Sequence, residues 1–189
     1  MNVIIQIAIG YCLATAAGLR IFVTLLVWAI ASKMGLIMSD KNWQISPLTL
    51  SICTIGAVVE VAVFFRPRLD NLMDAVALPL ATVAGTLLMA SVLPSLPPWG
   101  RWLIAIIGGA VALLLQITTT LLRAQITKTT GGVNNGLFAT IELGGCLGLL
   151  LLALLEPRLA ALAALGLTIA AARYLWLRLP PGMIPKGSP

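Results

Sequence analysis

Residues 3–32 read VIIQIAIGYCLATAAGLRIFVTLLVWAIAS, a stretch of thirty residues in which Arg20 is the only charged side chain. A straight helix of that length measures about 45 Å, whereas the hydrocarbon core of a bilayer is about 30 Å thick. The stretch therefore predicts a membrane helix that is tilted or broken. The candidate break lies at Gly18, because small residues permit close backbone approach and glycine weakens a helix.

The rest of the chain has the same apolar character. Of its 189 residues, 60% are hydrophobic and only 10% are charged, and the mean hydropathy is +1.05. Soluble domains carry about 25% charged residues, so this composition indicates an integral membrane protein. We expect a single transmembrane helical domain over residues 1–179 and a flexible tail over residues 180–189.

The predicted fold is an all-α, polytopic membrane helical bundle of about six transmembrane helices, since each span needs about 20 apolar residues. The predicted spans are 3–33, 47–65, 72–94, 101–127, 137–155 and 158–177. A division into three plus three spans would also permit an inverted repeat.

The distribution of Lys and Arg predicts the orientation. With six spans, one face would carry Arg66, Arg68, Arg123, Lys128, Arg173, Arg178 and Lys186. The other face would carry Lys33, Lys41, Arg101 and Arg158. The positive-inside rule then favours cytoplasmic N- and C-termini, in a bacterial inner membrane or a thylakoid membrane.

A few ionisable side chains interrupt the apolar runs. Arg20, Glu60 and Glu142 lie inside predicted spans, where a charge costs about 2.5–3.5 kcal/mol and is usually paired or lines a polar pathway. On the fourth span, Gln116, Thr119 and Arg123 share one helix face by their spacing. Pairing of these groups would give a charge network that is structural about as often as functional.

The segment from Arg123 to Glu142 is the least membrane-like sequence between two spans. Gly131 and Gly132 permit left-handed or re-entrant backbone, while Asn134 and Asn135 offer ligands for an ion or a small polar solute. The alternative is an ordinary interfacial turn, in which Gly and Asn supply the turn geometry.

Several kinds of chemistry are not indicated. The chain contains no His, no Walker loop and no GxSxG motif, so we predict no catalytic residue, no cofactor and no metal site. Cys12, Cys53 and Cys146 are expected to be buried small side chains. The net charge of +6 is scattered at span ends, which predicts lipid contact and not nucleic-acid binding.

A homo-oligomer or another membrane protein is a further expected partner besides the lipid bilayer. Gly144 and Gly148 form a GxxxG pair, which lets two helices approach closely. The pair favours packing within the bundle over a dimer interface.

Some residues resemble the pattern of a family of small multi-pass membrane proteins from bacteria and plants, described as domain of unknown function 4126. The matching residues are Glu60, Pro67, Asp70, Gly108, Gly109, Arg123, Gly131, Gly132, Asn134 and Glu142. The resemblance covers about residues 10–160. Phe64 and Phe65 stand where an Asp-Lys pair is expected, Leu143 replaces a second acid, and Gln116 and Thr119 stand where His and Lys are common. The resemblance implies a compact bundle without an established activity.

Together these features predict a small transporter or channel for an ion or small polar solute. The candidate pathway residues are Arg20, Glu60, Gln116, Thr119, Arg123, Asn134, Asn135 and Glu142. The candidate backbone positions are Gly18, Gly131 and Gly132. The alternative is a non-catalytic accessory or assembly subunit of a larger membrane complex, in which the charges are buried structural pairs.

Overall fold

The computed structural model describes residues 2–38, 45–63, 67–131 and 134–178, with the backbone alone for residues 67–75. Within these ranges the chain is all helical, with seven α-helices and no strand. They are α1 Val3–Ala17, α2 Ile21–Lys33, α3 Pro47–Val63, α4 Pro67–Ser91, α5 Pro98–Thr130, α6 Asn135–Leu155 and α7 Pro157–Arg178.

Three of these helices, α5, α6 and α7, are long and apolar enough to cross a membrane. Shorter apolar helices are formed by α1, α2, α3 and the Val76–Ser91 part of α4. Large apolar side chains such as Ile55, Ile106 and Leu151 are exposed on the outside of the bundle. This arrangement is compatible with a multi-pass membrane protein.

The predicted break in the first apolar stretch is confirmed. α1 ends at Ala17 and α2 begins at Ile21, and Arg20 between them has an extended backbone with φ −147° and ψ 108°. Gly18 has an ordinary φ of −72°. The position has no room for a side chain, because a Cβ there would lie 2.6 Å from the Ala112 carbonyl oxygen of α5.

The two halves of this stretch run antiparallel, so the predicted break is present but residues 3–33 do not form one span. The Cys146 Sγ lies 3.7 Å from the Ala16 carbonyl oxygen and 3.5 Å from the Thr24 Oγ1, and these two residues lie four positions before and four positions after Arg20. Farther from the break, the Gln6 Nε2 lies 3.6 Å from the Met38 Sδ. Residues 3–33 therefore form a helical hairpin with Gly18, Leu19 and Arg20 at its tip.

The other helices run between two ends of the bundle, which we call the N-terminal end and the tip end. Gln6 donates a 2.8 Å hydrogen bond to Ser95, so α4 ends and α5 begins at the N-terminal end. Glu60 binds the first turn of α2, so α3 ends at the tip end. The chain turns again between α5 and α6 near Asn135, and α7 returns to the tip end, where Arg178 contacts Gln125 of α5.

Six equivalent spans are not confirmed by this path: α1 and α2 return the chain to the N-terminal end, and each of α3 to α7 then leads from one end of the bundle to the other. α5 is continuous over Pro98–Thr130, whereas a three-plus-three repeat would place a break in it to match that of α1 and α2. The hairpin thus has no counterpart in the second half of the described chain.

Glycines account for the close packing of α4 against α5. A Cβ on Gly85 would lie 2.5 Å from the Ala112 Cβ, and a Cβ on Gly108 would lie 2.7 Å from the Met89 Cβ. The GxxxG pair on α6 behaves differently, because a Cβ on Gly144 or Gly148 would meet nothing within 4 Å. Contrary to the favoured interpretation, the pair makes no close helix contact among the described residues.

Candidate functional site

Four ionisable side chains meet at the hairpin tip, and we call them the charge cluster. Arg20 comes from the tip itself, Glu60 from α3, Arg123 from α5 and Glu142 from α6. Their exposed fractions are 1%, 7%, 5% and 5%, respectively. Two positive and two negative charges are thus removed from solvent together, with a formal sum of zero.

Both arginines of the cluster bind one carboxylate oxygen. The Glu142 Oε2 accepts from the Arg20 Nη2 at 2.9 Å and from the Arg123 Nη2 at 2.7 Å. The Arg20 Nη2 also donates to the Ala139 carbonyl oxygen at 2.9 Å, one turn before Glu142 on α6. Arg20 therefore ties the tip to α6, while Glu142 links α6 to α5.

Glu60 caps the broken helix instead of pairing with an arginine. Its Oε1 accepts from the Ile21 N–H at 2.8 Å, and its Oε2 accepts from the N–H groups of Phe22 and Val23 at 3.0 and 3.1 Å. These are orphan donors of the first turn of α2, where the helix dipole also favours a negative charge. The carboxylate of α3 thus supplies the cap that the α2 sequence lacks, since Arg20 makes no side-chain cap.

A small residue next to Glu60 permits this approach. Gly56 lies one turn earlier on α3, and a Cβ there would overlap the ring of Phe22. The ring occupies that space instead, which allows α3 to lie directly against the start of α2.

Thr24 and Cys146 complete the tip, although the sequence did not mark Thr24 as a site residue and indicated Cys146 only as a buried side chain. The Thr24 Oγ1 donates to the Arg20 carbonyl oxygen at 2.6 Å. The Cys146 Sγ bridges the two arms of the hairpin through Ala16 and Thr24. The signal that points to Thr24 is its place four residues after Arg20, where a hydroxyl reaches back to the carbonyl at i−4.

Two predicted polar residues of α5 are buried near the cluster but are not joined to it by any hydrogen bond that the described residues show. Gln116 and Thr119 are each 5% exposed. The Thr119 Oγ1 donates to the Gln116 carbonyl oxygen at 3.1 Å, so this hydroxyl is satisfied within its own helix.

The segment between α5 and α6 forms a helix end and a turn over its described part. α5 continues to Thr130, and Gly131 follows in the left-handed region with φ +64°. Asn134 is exposed, whereas Asn135 is buried and exchanges hydrogen bonds of 2.8 and 3.2 Å with Thr127 of α5. These residues close the turn between the two helices; Gly132 lies outside the described residues.

A cavity of about 320 Å³ lies beside the cluster, between α5, α6 and α7. Glu142 lines it together with Leu19 of the tip and the Thr118 and Thr119 positions of α5. Most of its remaining lining is hydrocarbon. No group of three or more metal-ligating side chains is found among the described residues.

Comparison with known proteins identifies a family. A family model described as a domain of unknown function, DUF4126, matches residues 7–177, which is most of the chain. The chain belongs to this family, as the resemblance indicated. No curated protein and no solved structure matches it.

Proposed function

We propose that this member of the DUF4126 family is a small, non-catalytic membrane transporter or channel for an ion or small polar solute, with the charge cluster as part of its pathway. The observation that supports this most is the capping of a broken helix inside the bundle by Glu60. Interrupted helices are tolerated at membrane depth where they are buried in protein or line a cavity. Helix ends that face a solute at the bilayer midplane are typical of transporter sites.

The depth of the hairpin tip agrees with such a site. From Gln6, at the N-terminal end, to Gly18 the chain rises through twelve residues of helix, or about 18 Å at 1.5 Å per residue. A hydrocarbon core of about 30 Å places its midplane about 15 Å from either surface. The tip then lies near the midplane if α1 enters the membrane close to Gln6, and α1 and α2 form a re-entrant hairpin.

Glu142 is the group through which a solute would act. As an anion it holds Arg20 and Arg123 on one oxygen, so two like charges share this carboxylate. A proton or cation that neutralised Glu142 would weaken both ion pairs and leave the arginines to repel each other. The hairpin tip, which Arg20 ties to α6, would then shift relative to α5 and α6. This gives a change between two arrangements that solute binding at the cluster can drive.

The re-entrant hairpin also changes the proposed orientation. Chain order assigns six Lys and Arg residues to the tip end, not counting the buried Arg20 and Arg123, and four to the N-terminal end. The positive-inside rule then places the tip end and the C-terminus in the cytoplasm. The N-terminus lies on the opposite side, because five crossings separate it from the C-terminus. We retain a bacterial inner membrane or a thylakoid membrane as the location.

Cysteine labelling tests this orientation. Asn2→Cys and Arg178→Cys would be treated in sealed cells with a maleimide that does not cross the membrane. We expect labelling of the first variant alone, because the native cysteines are buried. Labelling of both variants, or of Arg178→Cys alone, would overturn the five-crossing topology.

Flux measurements in liposomes test the transport proposal. The wild-type chain would be reconstituted and assayed for H⁺, Na⁺, K⁺ and Cl⁻ flux, next to Glu142→Gln and the control Glu156→Gln, whose carboxylate is exposed at the start of α7. We expect flux of at least one ion in the wild type and the control, and its loss in Glu142→Gln with the fold retained by circular dichroism. Absence of wild-type flux, or unchanged flux in a folded Glu142→Gln protein, would sink the proposal.

An accessory or assembly subunit is the second candidate, and the open GxxxG pair of α6 favours it. Gly144 and Gly148 leave space for the backbone of another helix on the outside of the bundle. In this case the charge cluster would fix the hairpin in place and would not conduct a solute. Extraction in a mild detergent followed by mass spectrometry separates the candidates, since a stoichiometric partner protein supports the subunit and a chain without one supports the transporter.

A further inference from the structure

We propose that the cavity between α5, α6 and α7 binds one acyl chain of an anionic phospholipid, whose headgroup is held by Arg178 and Lys128 at the tip end. The proposal uses the membrane location of the chain and does not depend on transport. The lipid would occupy the cavity on the outer surface of the bundle, whereas the proposed pathway runs through the charge cluster.

The cavity has the chemistry of a hydrocarbon site. Its apolar lining residues are Leu19, Leu115, Leu122, Phe138, Ile141, Leu167, Ala170 and Ala171. Its volume of about 320 Å³ falls within the range of about 300–1,000 Å³ that is usual for small-molecule sites. Ile141 and Leu167 are 62% and 40% exposed, so the cavity opens on the outer surface of the bundle. In a membrane the ligand that reaches such an opening is a lipid chain.

A basic anchor lies at the tip end of the cavity. Tyr174 lines the cavity, and the Arg178 guanidinium carbon lies 5.4 Å from the centroid of the Tyr174 ring. The Arg178 Nη2 also donates to the Gln125 Oε1 of α5 at 3.1 Å, which holds the guanidinium across the gap between α5 and α7. Lys128 is exposed one turn beyond Gln125, on the same side of α5.

Charge at this end favours an anionic headgroup. Three carboxylates have described side chains, and none of them lies at the rim of the cavity. Glu60 and Glu142 are buried, and Glu156 lies at the N-terminal end, between α6 and α7. No described carboxylate faces these two basic groups, and they attract a phosphate group at the headgroup level. The acyl chain below it fills the apolar cavity and covers the outer side of Glu142.

Retained lipid is the direct measurement. The full chain would be equilibrated in nanodiscs of equal parts phosphatidylglycerol and phosphatidylcholine, extracted in a mild detergent and examined by native mass spectrometry. We expect one retained phospholipid per chain, enriched about fivefold in phosphatidylglycerol for each basic group at the headgroup. Gly145→Leu, which puts a side chain into the cavity, should remove the lipid. Arg178→Gln should retain a lipid but reduce the preference for phosphatidylglycerol about fivefold.

Two matched variants control for general effects. Gly144→Leu adds the same side chain at the neighbouring position of α6, which does not line the cavity. Arg158→Gln removes an exposed charge at the other end of α7. Both should behave like the wild type. A chain that retains no phospholipid, a Gly145→Leu variant that keeps it, or a lipid-free dimer formed through this face would overturn the proposal. None of these outcomes depends on ion flux, so they do not decide the transport proposal.

Discussion

Replacement of Glu60 by Gln tests whether the cap on α2 holds the hairpin in place. The wild-type carboxylate accepts three buried N–H groups, one on Oε1 and two on Oε2. The carbonyl oxygen of the Gln side chain can still accept hydrogen bonds from the N–H groups of Phe22 and Val23. The NH₂ group of the same side chain then faces the N–H of Ile21. One buried donor loses its acceptor, at about 1–3 kcal/mol, and two charge-assisted bonds become neutral ones, at about 1 kcal/mol each.

The expected loss is therefore about 3–5 kcal/mol of unfolding free energy, a large part of the about 5–15 kcal/mol that a folded domain has. It would be measured by equilibrium unfolding in lipid bicelles, together with hydrogen exchange at the amides of Ile21, Phe22 and Val23. The matched control Glu156→Gln changes an exposed carboxylate and should stay within about 0.5 kcal/mol of the wild type. A Glu60→Gln protein with wild-type stability and wild-type protection of these three amides would refute the capping argument.

Two further predictions concern the packing of glycines and the buried ion pair. Gly56→Ala should lower the unfolding free energy by about 1–3 kcal/mol, because its Cβ overlaps the Phe22 ring. Gly148→Ala should raise the unfolding free energy by about 0.5–1 kcal/mol, because its Cβ meets open space and Ala is the better helix former. Equal effects of the two in a thermal unfolding assay would contradict the packing described for Gly56. In a double-mutant cycle with Arg123→Met and Glu142→Gln, we expect a coupling of about 1–3 kcal/mol, since the pair is buried and 2.7 Å apart. Additive effects would mean that the ion pair contributes nothing beyond its separate residues.

Several features of the fold could be predicted from the sequence because they depend on local composition. Long apolar runs indicate helices, and thirty apolar residues around Gly18 and Arg20 exceed what one straight span can use. The burial of Arg20, Glu60 and Glu142 was indicated by their positions inside apolar runs. The left-handed backbone at Gly131 followed from the freedom of glycine at a helix end.

The direction of α2 could not be predicted in the same way. Hydrophobic periodicity indicates a helix but not the direction in which it runs. It therefore does not distinguish a helix that continues after a break from one that reverses. The reversal depends on contacts between residues far apart in the sequence, such as Thr24 with Cys146 and Gln6 with Ser95. Such contacts become visible only when the helices are assembled.

The partner of Glu60 was unpredictable for a related reason. Opposite charges suggest each other in a sequence, so an arginine of the predicted charge network was the expected partner. The actual donors are backbone N–H groups that are available only because α2 restarts at Ile21. Glu142 instead serves both arginines.

The separation in sequence between the hairpin tip and its partners has a consequence for biogenesis. A ribosome makes the hairpin first, but Glu60 follows Ile21 by 39 residues and Glu142 follows Arg20 by 122. Until those residues emerge, insertion would bring the Arg20 charge into lipid without its Glu142 partner, at a cost of about 2.5–3.5 kcal/mol. We therefore expect nascent chains to hold the hairpin at the membrane surface or in the translocon until α6 is made, and truncation before α6 to leave it accessible to protease.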